Sequence, residues 1–188
     1  MFELQRFIED CERIQKEYDT PHAIREVVQR AIDDKPALLK ALGEPEWAGL
    51  QRLYVSDHLT VLNLAWGPGL HLPPHNHNMW AVIGIYGGCE DNIFYRRDDK
   101  GPHIHEESRT RLEEGSTIPL GPQAIHSVTN PMDKLTGAIH VYGGDFFADG
   151  RSEWDEEDFL EHPYDIDATL RRFEESNDRL RELRGEGA

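Results

Sequence analysis

Gly69-Leu70-His71-Leu72-Pro73-Pro74-His75-Asn76-His77 is the densest run of chemically useful side chains in the chain. On an extended strand successive side chains alternate between faces, so His75 and His77 point the same way. Two imidazoles so placed are a pair of metal ligands, because neutral imidazole is a common donor to first-row divalent ions. A lone His-x-His is also met in ordinary surface loops. Here Pro73-Pro74 stiffens the entry to the pair, Gly69 stands six residues before His75, and Gly88 closes the strand that follows. Further on, a Gly121-Pro122 turn precedes His126, with Asn130 four residues later.

The surroundings of these segments read as short strands. Leu53 to Val55, Thr60 to Trp66, Trp80 to Tyr86, Asn92 to Arg96, Ser116 to Leu120, Ile125 to Val128 and Ala138 to Tyr142 are β-rich runs separated by Gly, Pro, Asn and Asp. Many short strands with turns between them suggest a sandwich or barrel. Both ends have helical spacing instead. Leu4, Phe7, Ile8, Cys11 and Ile14 form one stripe. Thr20 and Pro21 open a second helix with Ile24, Val27, Val28 and Ile32 on its apolar face, and a third runs from Pro36 to Leu42 before Gly43. Near the C-terminus Leu170, Phe173, Leu180 and Leu183 share one side. The expectation is a single domain over 1–188, with N-terminal helices in 1–45, a β-barrel in 50–146 and a C-terminal helix in 165–184.

Acidic residues outnumber basic ones 36 to 20, for a formal net charge of −16. Such a charge repels phosphate backbones and anionic bilayers, so neither nucleic acid nor membrane is an expected partner. The basic pair Arg96-Arg97 is followed at once by Asp98-Asp99. No apolar run approaches the ~20 residues of a membrane span, and the first residues lack a signal-peptide pattern. Two isolated thiols, Cys11 and Cys89, fit a reducing compartment. A cytoplasmic protein, monomeric or a small homo-oligomer, is expected.

Taken together, Gly69-x5-His75-x-His77 and the later His126-x3-Asn130 resemble the two motifs of the cupin superfamily. That resemblance implies a cupin double-stranded β-helix, a jelly-roll barrel, as an all-β core. Most metal-binding cupins place a Glu four or five residues after the second His, where this chain has Ala81 and Val82. His75, His77 and His126 remain as the implied ligands. Within the superfamily, residues 50–146 resemble the cysteine dioxygenase (thiol dioxygenase) type. The resemblance runs through Ala65-Trp66-Gly67-Pro68-Gly69, the His pair, His126 to Asn130, and His140-Val141-Tyr142. It implies Fe(II) on three His, with Zn or Ni able to replace it, and a small thiol acid of the cysteine or 3-mercaptopropionate type oxidised by O2 to a sulfinate. Three neutral ligands leave the ion its full charge for a thiolate. Two other outcomes stay open: a three-His dioxygenase cleaving a carbon–carbon bond in a non-sulfur substrate, and a non-catalytic metal-binding cupin.

The resemblance also implies roles for side chains beyond the ligands. His140 and Tyr142 share a strand face and match the end of a Ser-x-His-x-Tyr row, with Ala138 in the Ser position. A satisfied core His and a core Tyr are the alternative. The Cys that cross-links this Tyr in animal members is replaced by Val82, so no cross-link is expected. For the substrate carboxylate, alignment places Tyr54 near the position of the family's clamping Arg, with Arg52 two residues earlier; Arg52 and Tyr54 are the substrate-binding candidates. His103-Ile104-His105 repeats the His-x-His pattern among acidic neighbours and reads as an exposed hairpin, and His71 as surface or support. Because ligand imidazoles must be neutral, metal occupancy is expected to fall toward pH ~6.5.

Overall fold

The computed structural model describes residues 1–18, 20–99 and 101–186; Asp19, Lys100, Gly187 and Ala188 lie outside the described residues. Three helices come first: α1 (Leu4–Tyr18), α2 (Pro21–Asp33) and α3 (Lys35–Leu42). The Thr20 side chain accepts the His22 N–H and Pro21 starts α2, while the Gly43 φ of +85° ends α3. Eleven strands follow: β1 (Gly49–Val55), β2 (Thr60–Trp66), β3 (His71–Asn76), β4 (Ala81–Gly87), β5 (Cys89–Arg97), β6 (Ile104–Glu113), β7 (Thr117–Leu120), β8 (Ile125–Thr129), β9 (Thr136–Tyr142), β10 (Ser152–Trp154) and β11 (Glu161–Pro163). The last element is α4 (Ile166–Arg184). No helix among the described residues is long and apolar enough to cross a membrane.

The strands form two antiparallel sheets, ordered β1-β2-β9-β4-β7 and β11-β10-β3-β8-β5-β6. Within them, β2-β9-β4-β7 faces β3-β8-β5-β6 and the chain crosses repeatedly between the two, which is the jelly-roll connection. The core is therefore all-β, a double-stranded β-helix of the jelly-roll kind with helices at both ends.

β2 and β9 are buried along their whole length because both faces are covered. Outward residues Val61, Val82, Ile139 and Val141 pack with Phe7, Ile24 and Val28 of the helices, and Cys11 is buried there as its stripe predicts. Inward residues Leu62, Leu64, Ile83 and Tyr142 belong to the barrel interior, where Phe173 of α4 joins them. Along α4 the buried side is Thr169, Phe173, Ser176 and Leu180, so Leu170 and Leu183 lie on its flanks, about half exposed.

Two boundaries differ from the expected pattern. The His71–Asn76 stretch, including Pro73 and Pro74, is itself a strand with neighbours on both sides. Proline cannot donate a ladder hydrogen bond, and the register with β8 shifts between Leu72 and His75, where the prolines sit. His103 and His105 lie in the exposed β5–β6 hairpin that the sequence suggests, but the returning arm is the ten-residue β6, whose exposed, charged middle hides its strand character.

Candidate metal centre

His75 and His126 are register partners on adjacent strands β3 and β8, and His77 follows one residue beyond β3. All three are buried, and their ligating atoms lie within 4.8 Å of one another. Among the described residues no other group of three His, Cys, Asp or Glu side chains has this form. The sequence-expected ligands thus converge on one point.

Each of two imidazoles is fixed by its far nitrogen. His75 Nδ1–H donates to the Pro73 carbonyl at 2.9 Å, and His126 Nδ1–H donates to Asn92 Oδ1 at 2.9 Å. The proton on Nδ1 leaves Nε2 as a lone pair, the arrangement seen when a support group orients a metal ligand. His126 Nε2 is buried without a protein partner. An unpartnered acceptor of this kind costs about 1–3 kcal/mol, which a cation would offset. Burial pushes His75 down to about 4 and holds His77 and His126 well below the usual imidazole value. Burial therefore favours the neutral form that a ligand imidazole needs. The donor set fits a first-row divalent ion and contains no carboxylate.

Around this point is an enclosed cavity of about 40 Å³, lined by His75, His77, His126, Tyr142, Phe146 and Tyr164, among others. His140 and Tyr142, from β9 of the opposite sheet, also line it, with His140 Nδ1 and Tyr142 Oη 2.9 Å apart. The Tyr142 ring meets the His77 ring edge-on at 5.1 Å between centroids. Burial raises the Tyr142 phenol and lowers His140 to about 3, so both are neutral.

The two substrate-binding candidates are elsewhere. β1 bulges between Arg52 and Tyr54, which pair with Leu62 and Val61, so the two side chains do not share a face. Tyr54 packs with the helices, its hydroxyl donating to Glu12 at 2.6 Å. Arg52 is exposed, its guanidinium 3.8 Å over the Phe147 ring, outside the cavity. Neither lines the site. Arg96 pairs with Glu107, and Arg97 binds Glu161 through two hydrogen bonds.

Three buried side chains beside the site escaped the sequence reading. Asn92, one strand over on β5, orients His126. Glu90, two residues earlier on the same face, is fully buried with both carboxyl oxygens unpartnered. Arg151, in the loop after β9, is 9 % exposed and sits 4.2 Å over Phe146 and 4.1 Å over Tyr164, both of which line the cavity. Its Nη1 has no partner, and its charge reaches His75, His77 and Tyr142. Alternation along β5 could have flagged Asn92 and Glu90; Arg151 has no periodic signal.

No family model matches the sequence. Among solved structures, the chain is similar to an RmlC-like cupin family protein with a double-stranded beta-helix fold from Methanocaldococcus jannaschii, at 12% identity and a TM-score of 0.45. That match covers 55% of this chain and 86% of the other. It is also similar to oxalate decarboxylase from Bacillus subtilis, a protein with Mn(II) centers, at 17% identity and a TM-score of 0.43. There the match covers 56% of this chain and 28% of the other. The fold assignment stands on the strand order, and the metal centre on the convergence of His75, His77 and His126.

Proposed function

We propose that this protein is a non-heme iron dioxygenase that oxidises the thiol of a small thiol acid to its sulfinate. The observation that carries the reading is a buried centre of three neutral imidazoles with no carboxylate donor, faced by the His140–Tyr142 pair. In the overall reaction RSH and O2 give RSO2H: the S–H and O–O bonds break, two S–O bonds form, the thiol proton passes to a sulfinate oxygen or to solvent, and sulfur loses the four electrons that dioxygen gains. Ferrous iron, when bound, would supply thiol deprotonation and dioxygen activation at the three histidines.

The chain's own groups divide the remaining work. Pro73 O and Asn92 Oδ1 hold the ligand rings in the tautomer that offers Nε2. Leu64, Leu72, Val128 and Phe173 exclude water and keep the site of low polarity. Arg151 supplies a buried positive charge with a free N–H, which a substrate carboxylate would satisfy. Tyr142 offers a neutral hydroxyl as hydrogen-bond donor beside the reacting atoms.

A second reading, iron-dependent carbon–carbon cleavage, draws on the mostly apolar walls; the Arg151 charge favours an acidic substrate over it. The test is anaerobic titration of the ferrous protein with thiols that carry or lack a carboxylate, followed by oxygen uptake. Uptake with carboxylate-bearing thiols, and a KM raised about tenfold or more by Arg151→Gln, would support the reading. No uptake with any thiol would overturn it.

A further inference from the structure

We propose that Glu90 is a positioning residue that aims the Tyr142 hydroxyl into the cavity by holding His140 in the tautomer with its proton on Nδ1. The catalytic consequence rests on the dioxygenase reading; the hydrogen-bond sense does not.

Glu90 reaches inward from β5 with no exposed surface, and its Oε1 lies 4.0 Å from His140 Nε2. The Trp66 indole N–H and the Asn92 amide N–H also face the carboxyl and partly offset its burial. None of these groups closes to a full hydrogen bond: both Glu90 oxygens, Trp66 Nε1, Asn92 Nδ2 and His140 Nε2 are all buried without a partner. On the neighbouring strand β6 the register partner of Glu90 is the apolar Leu112. Among the described residues, the titratable groups that this carboxyl faces are His140 and, beyond it, Tyr142, both on β9.

Burial pushes the Glu90 carboxyl up to about 8 and His140 down to about 3, which favours the uncharged form of both at neutral pH. A neutral carboxyl must place its O–H on an acceptor. Indole and amide N–H groups only donate, and Asn92 Oδ1 is turned to His126. His140 Nε2 is the remaining acceptor. With Nε2 accepting, the single proton of neutral His140 sits on Nδ1 and donates to Tyr142 Oη, 2.9 Å away. The Tyr142 O–H is then free to point into the cavity that it lines. The 4.0 Å separation exceeds a direct bond by about 1 Å, and either a closure of that size or one bridging water transmits the same donor-to-acceptor sense.

An ionised Glu90 reverses the row. The carboxylate accepts a hydrogen bond from His140 Nε2–H, Nδ1 becomes an acceptor, and the Tyr142 hydroxyl turns back toward His140. Position 138 is Ala and offers no hydroxyl on the β9 side, so the support for His140 comes from the facing sheet.

The test reads the His140 tautomer by nitrogen-15 NMR of the full chain, metal-free and zinc-loaded, near pH 6.5, with the signal assigned by its loss in His140→Gln. Protonated Nδ1 in the wild type and in Glu90→Gln, whose amide can donate to Nε2, is expected. Glu90→Leu should shift the proton to Nε2 or give a mixture. A second readout is turnover against pH in the iron form. The wild type should lose activity above pH ~8, and Glu90→Gln should stay within about threefold of it at neutral pH and keep its rate above that. A wild-type His140 protonated on Nε2 would overturn the proposal even if Glu90→Leu fails to fold. So would a Glu90→Gln variant with the wild-type decline. Absence of turnover with every thiol would count against the dioxygenase reading and leave the tautomer result to judge Glu90.

Discussion

The chain carries two His-x-His pairs, and they have opposite fates. His75 and His77 are 4 % and 3 % exposed, and the register sets His126 directly across from His75. His105 pairs in register with Arg96 and donates to Asp98 at 2.7 Å; His103 donates to the Asp158 carbonyl at 3.0 Å, and both are exposed. Alternation gives either pair a common face, so spacing cannot tell them apart. The first has a third imidazole on the neighbouring strand and walls that remove water. The second spends its ring nitrogens on surface oxygens.

The largest contrast should be metal content. His75→Ala and His126→Ala are each expected to lose most bound metal by elemental analysis, whereas His103→Ala and His105→Ala should keep it. Full metal in His75→Ala would erase the distinction. Next in size is Tyr142→Phe, which removes only a hydroxyl. Iron content should hold while turnover falls roughly tenfold to a thousandfold, the range for one positioned donor. Wild-type turnover would make Tyr142 a packing residue.

A smaller effect sharpens the comparison at the supports. Asn92→Ala frees the His126 ring and should weaken metal affinity by about 10–100-fold, measured by competition with a chelator. Asp98→Ala, which frees His105, should change it by nothing measurable.

Smallest is the effect of pH on the stability of the metal-free protein. The folded value of His75, about 4, lies below its unfolded value near 6.5. As pH falls through that window the unfolded chain takes up a proton that the folded site refuses, so stability drops; His77, His126 and His140 act in the same direction. Glu90 acts oppositely, because its raised value makes the folded state hold a proton from the normal carboxylate range up to about 8, and stability declines as pH rises through that range. Denaturant melts of Glu90→Gln should lack that alkaline loss.

Much of this was legible in the sequence. The helical stripes around Cys11 and Val28, the apolar run of β2 and the common face of His75 and His77 follow from periodicity; that His126 joins the pair came from the motif resemblance. Other features were not. β6 was hidden because its middle faces solvent and reads as charged loop. The bulge in β1 turned Tyr54 away from Arg52, an event that one inserted residue causes and that composition does not mark. Glu90 and Arg151 look like surface charges in the sequence; only the folded barrel shows that one is walled in by β9 and the other is held between two aromatic rings.

The most direct measurement is the mass of the product formed by the ferrous protein from a carboxylate-bearing thiol under oxygen-18 gas. A sulfinate carrying both labelled oxygens is the expected result. Label on carbon, or a thiol returned unchanged while the iron stays bound, would contradict it.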